Sequence, residues 1–216
     1  MITVMKFGGT SVGSAEALKR VAGIVANTEG DRVVVVSAMS GITNFLVNVA
    51  DNPLIDPEGI VEQFRNKHLM TAAQLLDGED MQEFMTEFES RMTGFRNALM
   101  ADRENPFYRD GLTSQGERFS SLILAFLLRK NGIKSVALTS EDAGIVAQGR
   151  PGNGSADLLN TATGMTMKVR PLLSMDIIPV ITGFYGINSE KVPLTFGRGG
   201  SDYSAAVVAN AIDADM

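Results

Sequence analysis

The chain contains no cysteine and no tryptophan, and His68 is its only histidine. Without cysteine there is no disulfide framework and no thiolate metal site, and a single histidine cannot form a metal-binding cluster. A reducing, cytoplasmic setting fits this composition. Basic residues are also few, because 19 Lys and Arg stand against 25 Asp and Glu, for a formal net charge of -6. This balance excludes nucleic-acid binding through a basic surface as the main function.

Long apolar runs are absent as well. No stretch approaches the roughly 20 apolar residues that cross a bilayer, and the N-terminus, MITVMKFGG, lacks the basic and apolar regions of a signal peptide. We therefore expect neither a membrane nor a nucleic acid as partner. The 216 residues, 44% hydrophobic and 20% charged, have the composition of a folded globular domain.

The order of apolar runs predicts an α/β fold. Thr3–Phe7 and Arg32–Ser37 have the character of buried strands, and between them lies a helix that begins after Ser14. Strand, helix and strand in this order form a right-handed βαβ unit, which implies a mainly parallel sheet. We expect an αβα sandwich. The predicted inner face of the first helix consists of Leu18, Val21, Ile24 and Val25.

A helical subregion is predicted near residues 55–105. Its pattern indicates two helices, interrupted near Asp77-Gly78, that pack beside the sheet. His68 lies in a polar part of the first of these helices, which favours a surface or partly buried position over a catalytic one.

The second half of the chain returns to alternating strands and helices. The predicted elements are a helix over Ser114–Lys130, strands over Ser135–Leu138 and Ile177–Thr182, hairpins over 144–155 and 184–194, a short helix over Lys168–Met175, and a helix over Tyr203–Ile212. In an open sheet, ligands bind beyond the carboxyl ends of the strands. We therefore expect the loops after Phe7, Val36, Thr182 and Phe196 to face one crevice.

The loop after the first strand reads Lys6-Phe7-Gly8-Gly9-Thr10-Ser11. Two glycines let successive backbone N–H groups turn toward one anion, and the Lys6 cation stands at the end of the strand. The motif is neither a Walker loop nor GxGxxG. It fits phosphate binding and a plain strand-to-helix turn about equally well.

The loop after the second strand is rich in hydroxyl groups. Ser37 and Thr43 stand where a helix N-terminus favours a carboxylate ligand. Capping of the helix explains these hydroxyls too, and on this motif alone it is the preferred interpretation.

Glu117 lies in the first turn predicted for the Ser114–Lys130 helix. An acidic residue there normally complements the helix dipole or caps the helix. The functional alternative is that Glu117 accepts an ammonium group.

The segment Thr195–Asp202 gives the strongest indication of a binding site. Arg198 stands between glycines and just before a helix, which suits a bidentate grip on a carboxylate or phosphate. Asp202 either positions a lysine or a cation beside that grip or caps the helix.

Taken together, five segments resemble the amino acid kinase family, and within it the aspartate kinases. They are KFGGTSV (Lys6–Val12), VVSAMSGITN (Val35–Asn44), GERFSS (Gly116–Ser121), ITGFYG (Ile181–Gly186) and TFGRGGSDYSA (Thr195–Ala205). The resemblance extends over nearly the whole chain. It implies ATP-dependent phosphorylation of the L-aspartate side chain to 4-phospho-L-aspartate, the first step toward lysine, methionine and threonine.

The resemblance also implies a role for each matching residue. Lys6 and Asp202 are the expected catalytic residues, and Mg²⁺ arrives with ATP, with no resident metal and no tightly bound cofactor. The remaining expected contacts are Ser37, Thr43, Glu117 and Arg198 to aspartate, and Lys6, Gly8, Gly9, Gly199 and Gly200 to the phosphate or nucleotide.

The same resemblance bears on domain organisation. In the family, a nucleotide-binding segment and ACT regulatory domains follow the part that this chain resembles. Residues 1–216 are therefore expected to be the N-terminal, substrate-side part of a kinase domain. This part is expected to be incomplete at its C-terminus and inactive alone. The full-length protein is expected to form a homo-oligomer. Two alternatives stay open: a non-catalytic aspartate-binding module, and another amino acid kinase that forms an acyl phosphate.

Overall fold

The computed structural model describes residues 1–216, which form eight strands and ten helices. The strands are β1 (Ile2–Phe7), β2 (Asp31–Val36), β3 (Ser135–Leu138), β4 (Ala147–Arg150), β5 (Asn153–Ala156), β6 (Ile178–Thr182), β7 (Tyr185–Ile187) and β8 (Pro193–Thr195). The helices are α1 (Ala15–Ala26), α2 (Ile42–Asp51), α3 (Pro57–Ala72), α4 (Gly78–Leu99), α5 (Tyr108–Thr113), α6 (Gln115–Lys130), α7 (Ser140–Ala143), α8 (Leu158–Lys168), α9 (Arg170–Ser174) and α10 (Gly200–Ala211). No helix combines the length and the apolar character needed to cross a bilayer.

A four-stranded parallel sheet with the order β1-β2-β6-β3 forms the centre of the molecule. The four consecutive valines of β2 are completely buried, because helices cover both faces of the sheet. Val34 and Val36 belong to the core beneath α1, α6 and the helical subregion, whereas Val33 and Val35 belong to the core beneath α8 and α10. The predicted αβα sandwich with a parallel sheet is confirmed.

Helix α1 agrees with the sequence pattern at its N-cap and at three of the four predicted inward positions. Ser14 caps it, since its hydroxyl accepts a hydrogen bond from the Ala17 amide. Leu18, Val21 and Val25 are buried as predicted, but Ile24 is 52% exposed. At 100° per residue, Ile24 lies about 90° from the centre of the stripe formed by the other three, and so it falls off the buried face.

The two predicted helices of the subregion are α3 and α4, and their shared core contains His68. The histidine is fully buried, with its ring against those of Phe64 and Phe119. Its Nδ1 lies 2.8 Å from the Phe64 carbonyl oxygen, and burial lowers its pKa to about 4, which keeps the ring neutral. The surface or partly buried position expected for His68 is wrong. It follows Phe64 by one helical turn and so shares its inward face.

Helices α7, α8 and α10 of the second half differ from the sequence prediction, which had no helix over Ser140–Ala143. Helix α8 was not predicted, because Asn160, Thr161 and Gly164 are poor helix formers. It is capped by the Asp157 carboxylate, and Gly164 packs directly on Gly144, where a Cβ would lie 2.6 Å from a carbonyl oxygen. Helix α10 begins at Gly200, three residues before the predicted start.

Candidate active site

A crevice of about 790 Å³ opens at the carboxyl ends of β1, β2 and β6. Three of the four loops predicted to converge there, those after Val36, Thr182 and Phe196, line the crevice, joined by the N-terminal parts of α2, α6 and α10. The loop after Phe7 contributes no lining residue, although Lys6 at the end of β1 does. Of the residues singled out in the sequence, the crevice is lined by Lys6, Ser37, Thr43, Glu117, Arg198, Gly199, Gly200 and Asp202. Gly8 and Gly9 lie beside the crevice and do not line it.

Lys6 and Asp202 form an ion pair at one end of the crevice. The Lys6 Nζ lies 2.8 Å from the Asp202 Oδ1, which joins the end of β1 to the first turn of α10. The Asp202 side chain is 72% exposed, and such a pair contributes little to stability. The ion pair instead fixes the position of the Lys6 ammonium group at the mouth of the crevice.

The glycine turn lies next to Lys6 and carries unused donors. Gly9 passes so close to the next loop that a Cβ would lie 2.9 Å from the Ala38 carbonyl oxygen, so the turn requires glycine there. The amides of Gly8, Gly9 and Thr10 donate to no acceptor within the chain. Three free N–H groups beside a lysine are what an anion-binding turn provides.

The hydroxyl loop after β2 leads into α2 without capping it. Gly41, with φ +84°, is the N-cap, and no side chain bonds to the helix terminus. Ser37 and Thr43 line the crevice, and the amides of Thr43 and Asn44 have no acceptor within the chain. The capping interpretation of these hydroxyls is wrong, and the helix terminus is open to a ligand.

Glu117 is a buried carboxyl group in the wall of the crevice, 2% exposed. Its Oε1 accepts a hydrogen bond of 2.9 Å from the Ala38 amide, and its Oε2 has no partner. Burial raises its pKa to about 8, although the Ala38 hydrogen bond acts in the opposite direction. Its acceptor role joins α6 to the β2–α2 loop, with one oxygen left for a cation.

Arg198 also lines the crevice. It sits between Gly197 and Gly199, both with positive φ, so the backbone turns sharply on each side of it. The side chain is exposed and makes no hydrogen bond or ion pair within the chain. Its planar fork is therefore free to bind a carboxylate.

A family model described as the amino acid kinase family matches residues 1–216. The chain belongs to the amino acid kinase family.

The aspartokinases are the most informative relatives of this amino acid kinase. The chain is 31% identical to the lysine-sensitive aspartokinase 3 of Escherichia coli over 99% of its own length and 47% of that protein. It is 30% identical to the chloroplastic bifunctional aspartokinase/homoserine dehydrogenase of Daucus carota, over 96% of its length and 23% of the relative. The chain thus spans between about a quarter and a half of the relatives that it matches.

Solved structures of E. coli aspartokinase III share the fold along the whole chain. The complex with aspartate and ADP matches with a TM-score of 0.87 at 30% identity, and the complex with lysine and aspartate with 0.88 at 29%. In both, the match covers 100% of this chain and 48% of that one. This chain is therefore an aspartokinase-like amino acid kinase domain.

Asp110 is a residue of the crevice that the sequence did not indicate. It is 2% exposed, and its carboxylate accepts hydrogen bonds from the Gly152 amide and from the Thr195 amide and hydroxyl, at 2.9 to 3.1 Å. These contacts tie α5 to the tip of the β4–β5 hairpin and to β8. The partners are 42 and 85 residues away in sequence, beyond the reach of any local pattern.

No group of three or more His, Cys, Asp or Glu side chains is arranged to hold a metal ion. Among the carboxylates of the crevice, Asp202 is paired with Lys6, Asp110 is used by backbone amides, and Glu117 is bonded to Ala38.

Proposed function

We propose that this kinase domain phosphorylates the side-chain carboxylate of L-aspartate with ATP, giving 4-phospho-L-aspartate and ADP. The observation that carries the proposal is the unpartnered Oε2 of the buried Glu117, a residue that lines a crevice with an unpaired arginine and a lysine. An ammonium group, an α-carboxylate and a second carboxylate are the complement of these three groups. The E. coli structure with aspartate and ADP supports this choice of substrates.

Aspartate binding follows from the charges of the crevice. Glu117 takes the ammonium group, because a cation satisfies a buried oxygen that has no other partner. Arg198 takes the α-carboxylate through two parallel hydrogen bonds. Ser37, Thr43 and the free amides at the start of α2 complete the anion-binding side.

Phosphoryl transfer then takes place at the end of the crevice near Lys6. A side-chain oxygen of aspartate attacks the γ-phosphorus, and the bond to the bridging oxygen of ADP breaks. The acceptor is already ionised at pH 7, so no general base is needed. Lys6 and the free amides of the Gly8-Gly9 turn neutralise charge on the transferring group, and Asp202 orients Lys6.

The nucleotide end of the site is assigned to the two glycine turns. Gly199 and Gly200 open α10 toward the crevice, where the Ser201 amide has no acceptor and the helix terminus favours phosphate. Mg²⁺ bound to ATP supplies further charge neutralisation. The cytoplasmic location, the homo-oligomer and the place in lysine, methionine and threonine synthesis are parts of the same proposal.

Hydroxylamine trapping tests the reaction directly, because an acyl phosphate reacts with hydroxylamine to give a hydroxamate and free phosphate. With the protein expressed from its own gene, we expect hydroxamate formation that requires both Mg-ATP and L-aspartate. Lys6→Met removes the charge and keeps most of the stem, so kcat is expected to fall by about 10²–10³ with little change in KM.

Each alternative gives a different result in these experiments. Aspartate binding in calorimetry without hydroxamate would indicate a non-catalytic binding module. Faster reaction with another amino acid would indicate a different acyl-phosphate-forming kinase. A Lys6→Met protein that keeps its kcat and loses only aspartate affinity would show that Lys6 binds substrate instead of stabilising the transition state.

A further inference from the structure

A second cavity of about 400 Å³ lies beside the crevice and is called here the arginine cavity. Its principal lining residues are Arg91, Gly94, Gly111, Gln115, Arg118 and Glu141. It shares the α5–α6 segment with the crevice but none of its lining residues. Neighbouring positions of this segment, such as Glu117 and Arg118, therefore serve two different cavities.

Arg91 carries a charge that no carboxylate of the chain pairs with. Its Nη1 donates to the Arg118 carbonyl oxygen and, at 3.4 Å, to the Ser121 hydroxyl, and it forms no ion pair. Burial lowers the pKa of the Arg91 guanidinium, which reflects the cost of holding this charge away from water. The group is thus a partly buried cation whose hydrogen-bond partners are all neutral.

The carboxylates nearest to Arg91 are already engaged. Glu141 pairs with Arg118 and accepts a hydrogen bond from the Tyr185 hydroxyl at 3.0 Å. Glu87 lies 3.8 Å from Arg129, and Asp142 accepts from the Thr139 hydroxyl.

Arg118 adds a second unsatisfied group to the same place. Its Nε is buried and has no hydrogen-bond acceptor, although the other end of the guanidinium pairs with Glu141. Two guanidinium groups thus line the cavity, and only that of Arg118 pairs with the Glu141 carboxylate. Gly94 and Gly111 leave space in front of them, since a Cβ added at either would meet nothing within 4 Å.

We propose that the arginine cavity binds a small oxyanion, either phosphate or a carboxylate. Both ligands present coplanar oxygen pairs that a guanidinium fork binds with two charge-assisted hydrogen bonds. The ligand supplies the counter-ion that Arg91 lacks, and the space beside Gly94 admits it. The site is separate from the crevice, so the proposal stands whether or not aspartate is the substrate.

Calorimetric titration with phosphate and, separately, malonate tests the site at constant ionic strength. The titrations use Lys6→Met, which removes the phosphate-binding lysine of the crevice. We expect at least one anion to bind, and Arg91→Gln to weaken that binding by about tenfold or more. Arg96→Gln is the matched control, because Arg96 is exposed on the same helix and does not line the cavity. It should bind within about twofold of the parent.

A second experiment introduces a carboxylate into the cavity as a side chain of the protein and compares it with an uncharged variant at the same position. Gly94→Glu should abolish anion binding and melt at a higher temperature than Gly94→Ala, which has no charge. That difference should vanish in the Arg91→Gln background, since the new carboxylate then has lost its partner. Absence of binding of both anions at millimolar concentration, or equal affinity with and without Arg91, would overturn the proposal.

Discussion

At the scale of single residues, the charged groups of the crevice differ mainly in their surroundings. Glu117 is buried and keeps one oxygen free, Arg198 is exposed and unpaired, and Lys6 is held by Asp202. The buried carboxyl is the group most sensitive to its ligand, because a cation beside it reverses the effect of burial on its pKa.

The raised pKa of Glu117 makes aspartate binding depend on pH. With a pKa of about 8, the free protein holds Glu117 mostly protonated at pH 7, whereas an ammonium ligand requires the carboxylate. Binding then releases a proton, so Kd for L-aspartate should fall as pH rises from 6 to 8, by up to about tenfold per unit. Above about pH 8 the dependence should level off.

Calorimetry at several pH values provides this measurement, with Glu117→Gln as the control. The amide cannot titrate, so the variant should bind aspartate more weakly and without the pH slope. Equal slopes in both proteins would show that another group is responsible.

The identities of these residues could be read from the sequence, but their environments could not. For Glu117 the local pattern favoured a helix cap, whereas its carboxylate actually accepts from Ala38, 79 residues away. Burial and the free oxygen come from packing of α6 against the β2–α2 loop. Only a resemblance across the whole chain indicated its role beforehand.

At the scale of elements, Asp110 fixes the β4–β5 hairpin over the crevice. Asp110→Asn keeps the size but replaces one acceptor oxygen with a donor that faces a backbone N–H group. We expect a loss of about 1–3 kcal/mol in the free energy of unfolding, and faster hydrogen exchange at the Gly152 and Thr195 amides. Asp102→Asn, at an exposed turn, is the control. Unchanged exchange at Gly152 would contradict this positioning role.

His68 makes the packing of α3 against α4 and α6 sensitive to acid. Its pKa is about 4 in the folded protein against the ordinary histidine value of 6.5, so stability is fully present above pH 6.5 and is lost as pH falls toward 4. Between pH 7.5 and 5 the wild type should lose about 2 kcal/mol more than His68→Leu. Burial of Glu117 changes the pH dependence of stability in the opposite direction. Both proteins contain Glu117, so its contribution cancels when they are compared.

Urea unfolding at the two pH values measures this difference. A wild type and a His68→Leu variant that lose the same stability would show that His68 becomes protonated in the fold without penalty.

The helices and strands were predictable where the period of the apolar residues agrees with the capping and turn residues at their ends. The βαβ unit, α3, α4 and the strand β6 follow from such patterns, and the structure contains them. Helix α8 escaped prediction because its stability derives from packing, including the Gly144–Gly164 contact and burial of Met165. Its local propensity gives little indication of it.

At the scale of the whole molecule, the parallel sheet brings distant segments into one crevice. The carboxyl ends of β1, β2 and β6 lie side by side, so residues separated by nearly 200 positions, such as Lys6 and Asp202, form a contact. The fold class and this convergence were predictable because βαβ units have one handedness. The arginine cavity was not, since it depends on how α4 packs beside α6.

The central claim is that this crevice recognises both α-substituents of L-aspartate. Calorimetry with three ligands tests it most directly: L-aspartate, succinate, which lacks the ammonium group, and β-alanine, which lacks the α-carboxylate. The wild type should bind L-aspartate at least about tenfold more tightly than either. Glu117→Gln should lose its preference over succinate, and Arg198→Lys its preference over β-alanine, because lysine lacks the guanidinium fork. Equal binding of all three ligands by the wild type, or preferences that survive both substitutions, would contradict the account.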